Sequence, residues 1–303
     1  MSTHEERLAR ARVSLDGLSL GDSLGGFLEG IGSQRAKRNN IVANRQIPNV
    51  EWHYTDDTNM ALSIYSILRQ YQEINSDELA LSFAKYYDRS RGYGAGVRRM
   101  MARIRNGDDW RDFNTTLYDD GSFGNGGAMR VAPVGAYFAD DMTLVIENAR
   151  RSSEITHAHP EGIAGAIAVA VAVAVINNLP TQEKPSQSDF FSMILPHIPD
   201  SEVRENCFTA SKIPLSLSTD EVSKTLGNGR HVSAMDTVPI ALWVALKYLD
   251  NFEEAMWQLA SIGGDVDTTC AIAGSIIASY SSGSIPKKWI NTCEARPDWV
   301  LKP

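Results

Sequence analysis

The chain has 303 residues, and 43% of them are hydrophobic, which is typical of a globular protein with a sizeable core. The formal net charge of −8 at pH 7 argues against non-specific nucleic-acid binding, because such a surface repels phosphate backbones. It does not exclude a small anionic ligand, since a local group of backbone N–H donors can outweigh the global field.

The first residues, MSTHEERLARARVSL, lack the apolar core of a signal peptide and predict a charged amphipathic helix. The most apolar segment, residues 163–176, is shorter than the ~20 residues that a bilayer requires, and Pro160 before it favours a helix start. We therefore expect a helix buried on most sides, no membrane partner and a cytoplasmic location. Cys207, Cys270 and Cys293 lack metal-site spacing and are expected to be buried or incidental thiols.

Helical periodicity dominates the chain. Apolar residues recur at helical spacing from Met60 and again from Leu79, and convincing β-hairpin signals are absent. Residues 179–189 resemble a linker, but suggestive segments lie on both sides of them, so a surface loop within one domain (residues 1–303) is favoured. The sequence predicts an all-α fold, with further helices at residues 95–105, 126–138, 141–154, 159–177, 187–196, 201–213, 236–250, 252–262 and 267–281.

Two acidic segments each precede an apolar helix. Asp56 and Asp57 stand between two threonines in YTDDTNMAL, and helix capping explains this pattern by itself. Asp265, Asp267 and Thr268 open the second segment, SIGGDVDTTCAIA, after two glycines that allow a sharp turn. Capping explains this segment equally well when it is taken alone.

Together the two segments indicate a metal site. Each places carboxylates at the edge of the core and neither contains a Lys or Arg, so the four acids would repel one another and lose hydration. A hard divalent cation resolves this conflict, because Mg²⁺ and Mn²⁺ bind carboxylate, hydroxyl and water oxygens. Two such ions sharing a carboxylate would clamp and polarise a bound hydroxyl.

Two glycine-rich segments add candidate groups. In GDSLGGFLEG, Asp22 is interpreted as a cap or a buried acceptor, and Glu29 as a solvated helix residue or a carboxylate directed into the site. In GSFGNGGAMRVAPVG, residues 121–135, loop N–H groups can converge on an anion, for which pyrophosphate is the favoured identity. Arg130 in this segment is interpreted as a structural ion-pair partner.

Aromatic residues and histidines near these loops have two interpretations each. Tyr118 and Phe123 either stack on a base or pack in the core, and core packing is commoner for aromatic residues. His157 and His159 are two residues apart, which is a poor spacing for a shared zinc ion on one helix face. His157 is interpreted as a hydrogen-bond donor to a phosphate or ribose, or as a cap at a helix start.

Seven motifs, taken in order, resemble those of the ADP-ribosylglycohydrolase family over residues 15–280: GDSLGGFLEG, YTDDTNMAL, RGYGAG, GSFGNGGAMRVAP, THAHPEG, LGNGRHVSAMDTVPIAL and GGDVDTTCAIAGSI. TDDT and GGDxDT, at opposite ends of the chain, are the most specific of them. The resemblance implies a compact orthogonal helix bundle with a binuclear Mg²⁺ or Mn²⁺ centre. It also implies a hydrolase that removes ADP-ribose from modified proteins.

The resemblance further implies roles for the matching residues. Two ions would be held by six residues, with Asp267 bridging them: Thr55, Asp56, Asp57, Asp265, Asp267 and Thr268. Nine residues would contact ADP-ribose: Gly94 and His157 at the diphosphate and ribose, Gly121, Ser122, Gly124 and Asn125 at the pyrophosphate, and Phe123, Val232 and Thr237 at the adenosine. Thr58 is left as the better candidate for plain capping. Val266 departs from the family, which commonly has Thr there, and this change is expected to matter little.

In the implied reaction the metals hold the 2″- and 3″-hydroxyls of the distal ribose, and a carboxylate assists an oxocarbenium-like state. Glu29 and Asp56 are the candidate catalytic residues, and the sequence does not decide which acts as acid or base. One branch of the family cleaves O-glycosidic serine-linked ADP-ribose, and another cleaves N-glycosidic arginine-linked ADP-ribose. Three segments of this chain are slightly closer to the first branch: RGYGAG, GSFGNGGAMR and LGNG with TVP.

A catalytically inactive protein of the same fold is the alternative, either crystallin-like or a binding module for ADP-ribose. Every family ligand position carries a competent oxygen donor, which favours the enzyme. We expect two Mg²⁺ or Mn²⁺ ions as cofactors, an ADP-ribosylated protein as substrate and a monomer in solution.

Overall fold

The computed structural model describes residues 2–31, 34–47, 50–116, 118, 120–180 and 183–300. Within these ranges the regular structure is helical, with two isolated β-bridges and no strand, which confirms the predicted all-α fold. The α-helices are α1 (His4–Gly30), α2 (Arg35–Asn44), α3 (Asp56–Tyr71), α4 (Ser76–Tyr86), α5 (Ala95–Arg105), α6 (Gly126–Met129), α7 (Ala132–Tyr137), α8 (Met142–Glu154), α9 (Pro160–Asn177), α10 (Gln187–Ile194), α11 (Glu202–Lys212), α12 (Thr219–Leu226), α13 (Ala234–Lys247), α14 (Phe252–Ile262), α15 (Val266–Tyr280) and α16 (Lys287–Ile290). Short 3₁₀ helices lie at Arg89–Arg91, Trp110–Asp112, Leu195–His197, Ser282–Ser284 and Asp298–Val300.

Helix α9 occupies the centre of the fold. It packs against α6, α7, α8, α13 and α15, and residues 164–176 are all buried. By length and composition this helix is apolar enough to cross a membrane, but 78% of it is buried inside the protein. The small Ala and Val side chains allow this close packing on every side, as the sequence predicts.

Helices α1 and α15 approach each other closely because glycines of α1 face the backbone of α15. A Cβ atom added at Gly17 would lie 2.2 Å from the carbonyl oxygen of Gly274, and one added at Gly21 would lie 2.2 Å from that of Cys270. At Gly25 the added atom would lie 2.3 Å from the Cα of Asp267. The glycine-rich GDSLGGFLEG stretch is therefore part of a 27-residue helix and carries its last turns to the start of α15.

This packing predicts a stability difference between two glycines of the same helix. Gly21→Ala should lower the free energy of unfolding by about 2 kcal/mol, because overpacking typically costs about 1–3 kcal/mol. The matched control is Gly30→Ala, since a Cβ there meets no atom within 4 Å. That control should raise stability slightly, by up to about 1 kcal/mol, because alanine is the better helix former. Urea unfolding measures both, and equal midpoints for the two variants would contradict the close approach.

Several elements differ from the prediction. The predicted helix at residues 126–138 is two short helices, α6 and α7, because Pro133 has no N–H to donate to the carbonyl of Met129. Helices α2, α12 and α16 were not predicted. For α12 a signal exists in the capping box of Ser218 and Glu221, whereas α2 lacks an apolar period.

Residues on both sides of the predicted loop at 179–189 contribute to one hydrophobic core, although residues 181 and 182 lie outside the described ones. The remaining predicted helices agree with the structure to within about three residues, which is the usual uncertainty of such boundaries. Cys207 and Cys270 are buried and Cys293 is partly buried, as expected. The extent of the domain, residues 1–303, stays a prediction.

Candidate functional site

The candidate site forms where the end of α1 meets the starts of α3 and α15. Asp56 and Asp57 occupy the first turn of α3. Asp265 is the N-cap of α15, and Asp267 lies in the first turn of that helix. The glycines of α1 allow this convergence. A Cβ added at Gly26 would lie 2.6 Å from Cγ2 of Thr55, just as one at Gly25 would lie 2.3 Å from Cα of Asp267. The two acidic segments, about two hundred residues apart in the sequence, therefore belong to one cluster.

Asp22 holds the start of α3 in place. Its carboxylate is fully buried and accepts hydrogen bonds from the N–H of Thr55 at 3.0 Å and of Thr58 at 3.0 Å. The hydroxyls of both threonines donate to it as well. Asp22 is thus a buried acceptor that also caps a neighbouring helix, so both interpretations of its role are confirmed. Thr55 is the N-cap of α3, and the interpretation of Thr58 as the plain cap is wrong.

Three carboxylates gather at the start of α15. One oxygen from each of Glu29, Asp265 and Asp267 lies within 4.8 Å of the other two. Glu29 is exposed at the rim, and its Oε1 accepts a hydrogen bond from the N–H of Val266 at 2.6 Å. The side chain of Val266 is buried, so the position that departs from the family contributes its backbone to this cluster.

Burial and mutual repulsion raise the pKa values of these acids. Burial, aided by the charge of Asp22, raises the pKa of Asp56 to about 7. The pKa values of Asp57 and Asp267 lie well above the ordinary range, first through burial and then through neighbouring carboxylates. Burial and the charge of Asp265 also raise the pKa of Glu29. Without a cation, the cluster must therefore hold extra protons at neutral pH.

The donor set fits a hard divalent cation. Every group in it offers oxygen, and Oδ2 of Asp57 is buried with no hydrogen-bond partner among the described residues. An orphaned, buried carboxylate oxygen is costly unless a cation or proton satisfies it. Thr268 is buried beside these acids, and its N–H donates to Oδ1 of Asp267 at 2.8 Å.

A cavity of about 280 Å³ adjoins the cluster. Asp56, which lies in the acidic segment at the start of α3, also lines this cavity. Eight of the nine predicted ADP-ribose contacts line it too: Gly94, Gly121, Ser122, Phe123, Gly124, Asn125, His157 and Val232. Thr237 does not line the cavity, because it is fully buried behind the wall and accepts a hydrogen bond from Nδ2 of Asn125 at 3.0 Å.

Asn125 connects the cavity to the cluster. Its Nδ2 also donates to Oδ2 of Asp265 at 2.6 Å, so one side chain joins α13, the glycine-rich loop and the acidic segment. The contact of Thr237 with this amide makes it a support for Asn125. The predicted adenosine contact of Thr237 is therefore not direct in this structure.

Two large apolar side chains stand exposed at the cavity. Phe123 is 50% exposed and Val232 is 57% exposed, although both types are usually buried. Val232 has a φ of +52°, which is rare for a β-branched residue. Its carbonyl accepts from the N–H of Asn125, and Ala234 donates to the carbonyl of Phe123, so the two loops hold each other. Phe123 and the half-exposed Tyr118 are not core residues, which favours the stacking interpretation.

The glycine-rich loop offers fewer free N–H groups than predicted. Gly121 donates to the carbonyls of Thr115 and Tyr118, and Gly124 donates to Oγ of Ser122. Among residues 121–125, as far as the chain is described, the N–H groups of Ser122 and Phe123 are the two that lack a partner. Gly121 has a φ of +92°, and a Cβ there would lie 2.7 Å from the N of His159, so only glycine fits.

Arg130 lies between α6 and α7 and is fully buried. Its Nη2 donates to the carbonyl of Ser152 and to the hydroxyl of Thr156, each at 2.8 Å, and its guanidinium lies 4.7 Å from the centre of the Phe83 ring. It forms no ion pair with any described carboxylate, so the ion-pair interpretation is wrong. The cap of α9 is His159, which accepts from the N–H of Glu161, and this leaves His157 free of that role.

Several residues that line the cavity are not among those predicted from the sequence. Gly96, Val97 and Met100 lie on the face of α5 that follows Gly94, and Thr156 directly precedes His157. Met100 lies at helical spacing from both Gly96 and Val97, which was the available signal. Met129 gave no signal, since its position depends on the break after α6.

Known proteins resemble this chain over most of its length. The sequence model of the ADP-ribosylglycohydrolase family matches residues 3–302. The ADP-ribosylhydrolase ARH3 of Homo sapiens is 30% identical over 332 residues, covering 95% of this chain and 90% of that protein. The ADP-ribosylarginine hydrolase Tri1 of Serratia proteamaculans is 24% identical over 303 residues, covering 94% of this chain and 75% of that protein.

A solved structure described as an ADP-ribosylglycohydrolase-related protein complex has the same fold, with a TM-score of 0.65 at 21% identity. The match covers 98% of this chain and 96% of that one. Since the family match extends over nearly every residue, the chain belongs to the ADP-ribosylglycohydrolase family.

Proposed function

We propose that this protein is a divalent-metal-dependent hydrolase that releases ADP-ribose from modified proteins. The supporting observation is the position of Asp56, which lies beside the other carboxylates of the acidic segments and also lines the adjoining cavity. A binding module needs the cavity alone. A cluster of acids with raised pKa values beside it adds the means for hydrolysis.

The proposed cation ligands are the six residues of the two acidic segments. Thr55, Asp56 and Asp57 would hold one Mg²⁺ or Mn²⁺ ion, and Asp265, Asp267 and Thr268 would hold a second, with Asp267 shared. When bound, the ions supply Lewis-acid polarisation of the ribose hydroxyls. The orphaned Oδ2 of Asp57 is the atom of this set that most needs such a partner.

The cavity supports the binding of ADP-ribose. The exposed apolar pair of Phe123 and Val232 would contact the adenine, because an aromatic face and a branched side chain remove its surface from water. The unpartnered N–H groups of Ser122 and Phe123, with the ring of His157, would donate to the diphosphate. In this arrangement the distal ribose would lie toward Asp56.

A carboxylate at the cluster would assist the cleavage of the glycosidic bond. Asp56 faces the cavity, whereas Glu29 lies at the rim of a separate open cavity lined also by Arg38 and Gly264. Either group would hold or deliver a proton at the anomeric centre or its leaving group, and would stabilise the positive charge that develops there. The assignment of acid and base between Glu29 and Asp56 stays open.

Serine-linked ADP-ribose is the proposed first substrate, and arginine-linked ADP-ribose the second. The relative whose name specifies arginine is 24% identical to this chain, whereas the relative named ADP-ribosylhydrolase ARH3 is 30% identical. We also propose that the protein is a monomer in solution and is located in the cytoplasm, as expected from the sequence. The alternative remains an inactive crystallin-like or ADP-ribose-binding protein.

The test uses serine-linked and arginine-linked ADP-ribosyl peptides side by side. With Mg²⁺ or Mn²⁺ we expect release of free ADP-ribose, faster from the serine-linked peptide, and no release in excess EDTA. Mass spectrometry of the peptide and chromatography of the nucleotide measure both products. Tight binding of ADP-ribose without turnover of either peptide would support the alternative and overturn the hydrolase.

A further inference from the structure

His157 has one ring nitrogen engaged with the protein and one directed at the cavity. The residue is 6% exposed and lines the cavity wall. Its Nδ1 lies 2.8 Å from Oγ1 of Thr156. Its Nε2 has no partner in the described structure and lies over the glycine-rich loop, where a Cβ on Gly124 would come within 3.2 Å of it. A ring nitrogen that has no protein partner, on a nearly buried residue that lines a cavity, is available to a ligand.

The hydrogen bonds behind His157 decide which nitrogen carries the proton. Arg130 can only donate, so Oγ1 of Thr156 accepts from its Nη2 at 2.8 Å. The hydroxyl proton of Thr156 then needs an acceptor, and Nδ1 of His157 is the acceptor that the described structure provides. With Nδ1 accepting, a neutral ring carries its proton on Nε2.

The ring must also be neutral for this arrangement. Burial, followed by the charge of Arg130, lowers the pKa of His157 to about 3. Many histidines are oriented by a carboxylate, which favours the charged ring. Here a guanidinium acts through a hydroxyl, and it orients the ring while disfavouring its protonation.

We propose that Arg130 and Thr156 are positioning residues that hold His157 as the neutral Nε2–H tautomer, so that Nε2 donates a hydrogen bond to a phosphate oxygen in the cavity. The ligand part of this inference rests on the proposed function, since ADP-ribose would supply the phosphate. The tautomer rests on the protein alone. The inference also explains a fully buried arginine that has no carboxylate partner among the described residues.

The tautomer is tested by long-range ¹H–¹⁵N correlation spectra of protein labelled at histidine nitrogens. His157→Asn identifies the resonances of His157 among the six histidines of the chain. In the unmodified protein we expect a protonated Nε2 and an unprotonated Nδ1. Thr156→Val removes the hydroxyl and should give a population with the proton on Nδ1, whereas Thr156→Ser should keep the original tautomer. A proton on Nδ1 in the unmodified protein, or no change in Thr156→Val, would overturn the proposal.

The ligand part is tested by titration calorimetry with ADP-ribose. Thr156→Val should weaken binding about fivefold to tenfold, the size of one hydrogen bond, while Thr156→Ser stays within about twofold. In a His157→Ala background, Thr156→Val should change the affinity by less than about twofold, because the relay acts through the ring. Equal effects of Thr156→Val in both backgrounds would overturn the positioning role.

Thr156→Val and Thr156→Ser are preferred to a change of Arg130, because removing a fully buried guanidinium threatens folding. Thermal melting confirms that both Thr156 variants are folded before they are titrated. If the unmodified protein fails to bind ADP-ribose, both the proposed function and the hydrogen bond from Nε2 to a phosphate are wrong. The spectra still decide the tautomer in that case.

Discussion

Asp267→Asn is expected to lower the rate of ADP-ribose release by a factor on the order of 1,000 while the helical fold persists. Asp267 is the carboxylate proposed to be shared by both ions, and an amide cannot replace its charge. Losing about 4 kcal/mol of transition-state stabilisation corresponds to that factor, and metal polarisation supplies several kcal/mol in such sites. Asp56→Asn should have a comparable effect, since Asp56 is both a proposed ligand and a candidate catalytic group.

The same variant should be at least as stable as the unmodified protein in EDTA. Burial and like charges raise the pKa of Asp267, so its carboxylate destabilises the metal-free fold at neutral pH. Asn keeps an oxygen that accepts from the N–H of Thr268 and removes the charge. The Mg²⁺-induced rise in melting temperature should be lost in the variant, which separates a lost ligand from a damaged fold.

The matched control is Asp108→Asn, which removes a carboxylate from a half-exposed pair with Arg103. Such pairs contribute little, about 0–1 kcal/mol, so activity and melting temperature should stay near those of the unmodified protein. Peptide hydrolysis with saturating Mg²⁺ or Mn²⁺, and melting with and without the cation, provide the measurements. An Asp267→Asn variant that keeps full activity would remove Asp267 from the proposed centre.

The helical fold and the membership of the cluster could be predicted from the sequence, because both leave local signals. Apolar periodicity marks α3 and α4, and a pair of acids before an apolar run marks the start of α3 and of α15. The pairing of the two segments needed a physical argument about repulsion. It is supported because the charge of Asp265 helps to raise the pKa of Asp57, and that of Asp57 helps to raise the pKa of Asp267.

The rest depended on contacts that no local pattern encodes. No helix is predicted over Gly21 and Gly25, since glycine disfavours helices, and the close approach of the α15 backbone that these glycines allow is not visible in the sequence. Thr237 is buried and accepts a hydrogen bond from Asn125 because α13 packs behind the loop. Arg130 has no ion pair because carbonyl and hydroxyl acceptors surround it, and acceptors of this kind cannot be counted from sequence.

In metal-free buffer, stability should fall as the pH rises from about 6.5 to 8.5. The pKa of Asp56 is raised from 3.8 to about 7 in the folded protein, and those of Asp57 and Asp267 lie well above 3.8. Over this interval the folded state therefore binds more protons than the unfolded state, and each extra proton lowers the free energy of unfolding by about 1.4 kcal/mol per pH unit. The contribution is fully lost once the pH exceeds the folded pKa values.

His157 limits this prediction to the upper part of the pH range. Its folded pKa of about 3 lies below its ordinary 6.5, so between these values it makes stability rise with pH and offsets the carboxylates. About one pH unit above 6.5 it is neutral in both states, and the carboxylates then act without this offset.

Added Mg²⁺ should reverse the trend, because a cation binds the deprotonated carboxylates and competes better as protons leave. Saturation at a hundred times the dissociation constant adds about 2.7 kcal/mol, or roughly 5–10 °C in melting temperature for a chain of this size. Differential scanning fluorimetry across the pH range, in EDTA and in Mg²⁺, measures both curves. The Asp267→Asn variant should show a flatter curve in EDTA and no reversal. Parallel curves for the unmodified protein in the two buffers would mean that these carboxylates do not hold the cation, whatever else the cavity binds.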